Sequence, residues 1–348
     1  MKASGSWKNR RVTKDLVALV ALVALVAASA GALSPSAGAA SGDITVLGSG
    51  VSGLFPRVGL VEGPDGNLWF GNQSGNLGEL DPDTNAITMH PIPGPTFVAD
   101  VALGGDGNIW FTTVTFDKVG RFDPDTNTYD LFSTGVLWPS RITTAADGTL
   151  WVLGSGNNAA RVNLNGTVGP STTSFGSAAD IILGPDDFIW ISRASQELLR
   201  VNPANGAIQT FPTDQQGGGD VDVRQMVVGP DDNIWFTYSG GAGGRGGVGR
   251  YVTGTDTFTY FSDSDFSNNK GITFDANGDI WYLDSDDDAA VRMTTSGVRT
   301  RFTASGWSIG AEDTGIIFGP AGDLWAGGSN RLARIDVGAP IDPACLPP

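Results

Sequence analysis

One short phrase ending on tryptophan recurs seven times along this chain. It reads GPDGNLWFGN around Trp69, GGDGNIWFTT around Trp110, AADGTLWVLG around Trp151 and GPDDFIWISR around Trp190. GPDDNIWFTY around Trp235, DANGDIWYLD around Trp281 and GPAGDLWAGG around Trp325 complete the set. The spacings are 41, 41, 39, 45, 46 and 44 residues. A period of about 40–45 residues made of short strands is the mark of a propeller, one four-stranded sheet per repeat. The expected fold is all-β: a seven-bladed β-propeller of four-stranded antiparallel blades.

The second repeat shows how one blade is written. Asp100 to Leu103 is a short apolar stretch, and the Gly-Gly-Asp-Gly-Asn that follows is a turn. Ile-Trp-Phe-Thr and Val-Gly-Arg-Phe then read as strands, and Asp-Pro-Asp-Thr-Asn turns the chain into an alternating outer strand. Each tryptophan, flanked by Ile or Leu, is expected to pack between neighbouring sheets. The seventh repeat stops after its third strand, Arg-Leu-Ala-Arg-Ile-Asp. Its missing outer strand lies at the other end, where Asp43-Ile-Thr-Val-Leu47 resembles the outer strand Ala86-Ile-Thr-Met-His90. The N-terminal strand should therefore complete blade seven and leave no open sheet edge at the junction.

Residues 1–39 read as a leader, residues 40–338 as the propeller and residues 339–348 as a proline-rich tail. A basic start (Lys2, Lys8, Arg10, Arg11, Lys14) precedes the apolar run Leu16–Ala28, and small residues follow. That pattern is a secretory signal, with an uncleaved anchor as the alternative. The expected location is extracellular, with no membrane span beyond the signal. After residue 33 the chain carries 16 basic and 36 acidic residues, a net charge of −20. So acidic a body repels phosphate backbones, which excludes nucleic acid as a partner. Cys345 is the sole cysteine, so no internal disulfide can form; it could bridge two molecules or be incidental, and a monomer is expected.

Strand order also assigns the faces. The Asp-Gly-Asn and Asp-Pro-Asp-Thr-Asn turns share one rim. The opposite rim carries the loops into each first strand and out of each second strand. Positions eleven before and three after each tryptophan should sit there, nearest the central channel. Upstream, Val58, Ala99, Ser140 and Ala179 are bland, and Arg224, Lys270 and Thr314 follow. Downstream the ring holds Asn72, Thr113, Gly154, Arg193, Tyr238, Asp284 and Gly328. Polar function is expected around Asn72, Arg193, Arg224 and Tyr238 as ligand contacts, with Lys270 and Asp284 as candidate catalytic groups.

Gly-Pro-Asp-Gly-Asn-Leu-Trp-Phe, with Val-Gly-Arg-Phe-Asp-Pro-Asp-Thr further on, resembles the repeat of the virginiamycin B lyase (streptogramin lyase) family. The likeness spans residues 43–337. It implies a histidine eleven residues before the tryptophan in the last blades and a glutamate three after it that helps hold magnesium. It also implies opening of a cyclic lactone antibiotic by elimination. This chain departs from that pattern. Its only histidine, His90, falls on an outer strand, and no blade has glutamate three after its tryptophan. Blade six holds Lys270 and Asp284 at those two places.

Asp284, Asp286 and Asp288 form an acidic run that could hold Mg²⁺ or Ca²⁺, or could be a solvated loop. Aromatic residues in the loops leading to the first strands (Phe55, Phe97, Trp138, Phe175, Phe266, Trp307) could contact a cyclic ligand or cap the core. Two readings stay open. One is a secreted propeller binding a small molecule or protein at the channel mouth; the other is a divergent carbon–oxygen lyase using Lys270, Asp284 and a divalent cation.

Overall fold

The computed structural model describes residues 42–48, 59–94, 97–114, 117–155, 158–193, 196–213, 221–240, 246–262, 268–309 and 314–338. Val58, Phe55, Phe266, most of the glycine run 240–247, Cys345, and the leader and tail lie outside them. The described residues form seven four-stranded antiparallel sheets. Blade two is typical: its strands Val98–Leu103, Ile109–Thr113, Lys118–Asp123 and Thr128–Ser133 follow one another in sequence and in space. Blade seven closes as expected. Ile44–Leu47 pairs antiparallel with Arg331–Ile335, taking the place of a fourth C-terminal strand.

The tryptophan phrase is the seam between blades. All seven repeated tryptophans are at most 1% exposed. Trp235 of blade five packs with Ile272, Ile280 and Tyr282 of blade six, and Trp281 packs with Leu324 and Ala326 of blade seven. Five of the seven indoles are also tied to their own turns. Trp110, Trp190 and Trp235 donate Nε1–H to Asp106, Asp186 and Asp231, each at 3.0 Å.

The register explains the arginine of the third strand. It sits opposite the tryptophan in six blades, as in Trp110↔Arg121 and Trp235↔Arg250, and reaches the turn aspartate or the ring face. In blades two and five the residue before it is glycine, forced by a phenylalanine ring on the second strand. A Cβ on Gly120 would meet the Phe111 ring at 2.0 Å. Turn, tryptophan and arginine thus form one structural unit, which is why the sequence repeats them together.

The innermost strands are not regular. In blades two to six a bulge interrupts the pairing of first and second strands. In blade two, Ala99 and Asp100 together face Thr112, between Val98↔Thr113 and Val101↔Phe111. One extra residue turns the following side chain to the other face of the strand. That small irregularity decides which residues look down the channel.

Candidate functional site

In six of the seven blades the channel is lined by the position ten before the tryptophan, one residue later than the expected position eleven before it. Blades two to five contribute Asp100, Arg141, Asp180 and Gln225 to an axial cavity of about 230 Å³. Gly59 and Gly315 of blades one and seven lie on its opposite side. Below this polar girdle the lining turns apolar, with Leu60, Ile182, Met226, Ile272 and Ile316.

The girdle also ties blade to blade. Asp100 Oδ2 accepts the Ile142 amide at 3.0 Å, and Arg141 Nε donates to the Ala179 carbonyl at 3.1 Å. Asp180 Oδ2 accepts the Met226 amide at 2.8 Å, and Arg141 Nε lies 4.0 Å from Asp180 Oδ1. Gly59 has to be glycine, because its Cβ would fall 1.6 Å from Asp100 Oδ1. Burial pushes the Asp100 carboxyl up to about 7, with Arg141 opposing the shift.

The residues expected at the rim mostly serve their own blades. Asn72 is buried and its Oδ1 accepts the amides of Ser74 and Asn76, closing a loop. Arg193 pairs with Glu197, Arg224 donates to Ser239 Oγ at 2.9 and 3.0 Å, and Tyr238 shares a hydrogen bond with Ser262. None of these four lines the axial cavity. Of the loop aromatics, Trp307 is buried and Phe175 packs against a core, so both act as caps. Trp138 differs: it is 57% exposed at φ 48°, its amide donating to Asp117 Oδ1.

Blade six holds the two candidate catalytic groups. Lys270 is buried, and Asp284 sits on the paired strand opposite Asn269. The Asp284 carboxyl is fully buried. Its Oδ1 accepts the Asp286 amide at 3.0 Å, while Oδ2 has no hydrogen-bond partner. Burial pushes this carboxyl up to about 6; the Asp286 amide pulls the other way, and Asp287 and Asp286 add like charge. Asp288 turns elsewhere, its Oδ1 accepting from Ser308 Oγ and the Ile309 amide. Among the described residues no three acidic, histidine or cysteine side chains are placed to hold a metal ion.

The raised carboxyls set a pH dependence. In the unfolded chain both aspartates titrate near 4. As pH climbs from about 4 to about 6–7, the folded state holds protons that the unfolded chain has released, so stability falls through that window. Carboxyls held low by hydrogen bonds, such as Asp186 and Asp231, contribute stability that is lost only below about pH 4. The urea midpoint should therefore be higher near pH 5 than near pH 8. Asp284→Asn should flatten part of that slope, and an unchanged slope in the variant would show that Asp284 does not carry the proton.

His90 is accounted for by structure. Its ring stacks on Trp69 at 5.1 Å and its Nε2 lies 2.7 Å from Glu79 Oε2. Glu79 stands opposite Trp69, where the other six blades have arginine. Blade one has thus exchanged the arginine–aspartate pair for a glutamate–histidine pair, on an outer strand (Ile87–Pro91) away from the girdle.

The model of the Virginiamycin B lyase family matches residues 56–243, more than half of the chain. The chain belongs to this family. Solved structures agree on the fold. A streptogramin B lyase aligns with TM-score 0.72 at 18% identity, covering 85% of this chain and 98% of that one. Virginiamycin B lyase from Staphylococcus aureus, in a catalytically inactive histidine-to-alanine form with quinupristin, aligns at 0.70 and 20% identity, covering 84% and 99%. The extracellular domain of a putative one component system from B. thetaiotaomicron aligns at 0.65 and 17% identity, covering 85% of this chain and 40% of that one. No curated protein matches the sequence. The same fold thus occurs in lyases and in the extracellular domain of a putative one component system.

Proposed function

We propose that this chain is an extracellular ligand-binding member of the Virginiamycin B lyase family that has given up histidine-based catalysis. The observation that carries this reading is the position of His90. The only imidazole in the chain is stacked on Trp69 and hydrogen-bonded to Glu79, outside the channel. A positioned general base contributes about 10²–10⁴-fold in rate, so its loss removes much of an elimination catalyst. What the channel offers instead is a polar girdle over an apolar floor, the make-up of a small-molecule site. The leader-like residues 1–39 and the likeness to an extracellular domain support placement outside the cell.

One observation favours a second reading, a lactone-opening lyase. Asp284 Oδ2 is buried without a partner, on the strand paired with the one that carries Lys270. In such an elimination a base takes a proton, a carbon–carbon double bond forms and the ester carbon–oxygen bond breaks to leave a carboxylate. Asp284 at about 6 could hold that proton, but nothing yet supplies an electrophile for the departing oxygen.

A streptogramin B lactone incubated with the protein, with and without magnesium, should give no linear product by mass spectrometry. Turnover lost in Lys270→Ala would establish the lyase reading. Turnover that survives it would place the chemistry elsewhere.

A further inference from the structure

The girdle's charge and the cavity beneath it narrow the ligand class, given that the channel binds ligands at all. Two carboxylates, Asp100 and Asp180, face one guanidinium, Arg141, so with both ionised the girdle carries an excess negative charge. The carboxylates are fixed by the backbone of the next blade rather than by side chains that could swing away. Asp100 accepts the Val101 and Ile142 amides, and a carboxylate accepts about four hydrogen bonds, so Asp100 keeps capacity for a ligand. Because the backbone pre-positions these acceptors, a ligand that uses them has little ordering to impose.

We propose that the axial cavity binds a small organic monocation, a primary alkylammonium group with a short apolar chain. The ammonium sits among the girdle carboxylates and the Gln225 side chain, and the alkyl chain runs down onto Ile182, Met226, Ile272 and Ile316. With Asp100 ionised an anion would meet two carboxylates for one arginine, and with Asp100 protonated it would meet one of each, so charge gives it no net attraction. A bare divalent ion needs six or more oxygen ligands, and the described residues offer no such cluster. The volume of about 230 Å³ corresponds to roughly seven or eight waters at about 30 Å³ each, enough for a four- or five-carbon amine. The acidic surface, at net −20 after residue 33, raises the local concentration of cations around the mouth. A bound cation would also lower the Asp100 carboxyl from about 7, so binding near neutral pH should release protons.

The test is calorimetric titration of the full-length protein with n-butylammonium chloride and, separately, with sodium butyrate at about pH 6.5. Two buffers of different ionisation enthalpy report the proton released. Butylammonium should bind at one site with proton release, and butyrate should not bind. Across methyl-, ethyl-, propyl- and butylammonium on the unaltered protein, affinity should rise up to about fourfold per methylene. Asp180→Asn, checked by thermal melting, should weaken butylammonium at least tenfold. Equal binding of butyrate, a flat chain-length series, or no heat with any amine overturns the proposal. Failure of the amines alone leaves the ligand-binding reading intact if the streptogramin lactone still perturbs the tryptophan fluorescence of the same sample. If neither ligand registers, that reading falls as well.

Discussion

A chain that begins at Val51 should melt well below the full-length protein and aggregate as it unfolds. The removed strand does more than extend a sheet. Ile44–Leu47 contributes the whole outer edge of blade seven, paired from Ile44↔Ile335 to Leu47↔Leu332. Ile44 and Val46 pack against the core shared by blades six and seven, and Leu47 against the one shared by blades seven and one. Three half-buried apolar side chains at about 1 kcal/mol each, with a few ladder hydrogen bonds at about 1 kcal/mol, come to roughly 5 kcal/mol. Hydrogen bonds from the Gly42 amide to Asp336 and from the Asp336 amide to Asp43 anchor the start of that strand. Without it, Arg331–Ile335 becomes an open edge that can pair with another molecule. Differential scanning calorimetry with light scattering reads both effects. An unchanged melting temperature would mean the ring does not depend on its N-terminal closure.

The fold could be read from the sequence because its defining contacts are local. The turn carboxylate, the tryptophan and the arginine opposite it lie within about fifteen residues and recur together in six of the seven blades, so the chemistry repeats as text. Closure was legible for the same reason, since Asp43–Leu47 is written like an outer strand. The channel was not. Counting eleven residues back from the tryptophan selects Ser140 and Ala179, but bulges hand the channel to Arg141 and Asp180. A bulge leaves no residue type as its mark, and a slip of one position exchanges the two faces of a strand. The one available signal was chemical: Asp100, Arg141, Asp180 and Gln225 stand at a single repeat position otherwise held by glycine. Blade six shows a different limit. The acidic run after Trp281 looked like one cluster, yet a turn that places Asp288 at φ 50° sends its carboxylate to Ser308 and Ile309.

Two tryptophan substitutions should have opposite outcomes, and the difference tests what the repeat is for. Trp235→Ala should destabilise the protein by about 3–5 kcal/mol, the range for truncating a large buried aromatic. The indole is fully buried at the seam of blades five and six, stacked on Phe261 at 5.7 Å and edge-on to Phe274 at 5.8 Å. Its removal also takes the Nε1–H from Asp231 and the ring face from Arg250, so the turn and the third strand lose their common partner. Trp138→Ala should change stability by no more than about 0.5 kcal/mol, because that ring lies 57% exposed and outside the tryptophan phrase. The hydrogen bond to Asp117 that fixes the Trp138 loop comes from the backbone amide and survives the change. Urea denaturation of both variants beside the parent protein decides the matter. Similar midpoints for the two would mean that the seams are held by the strands alone, with the tryptophans filling space that other residues could fill as well.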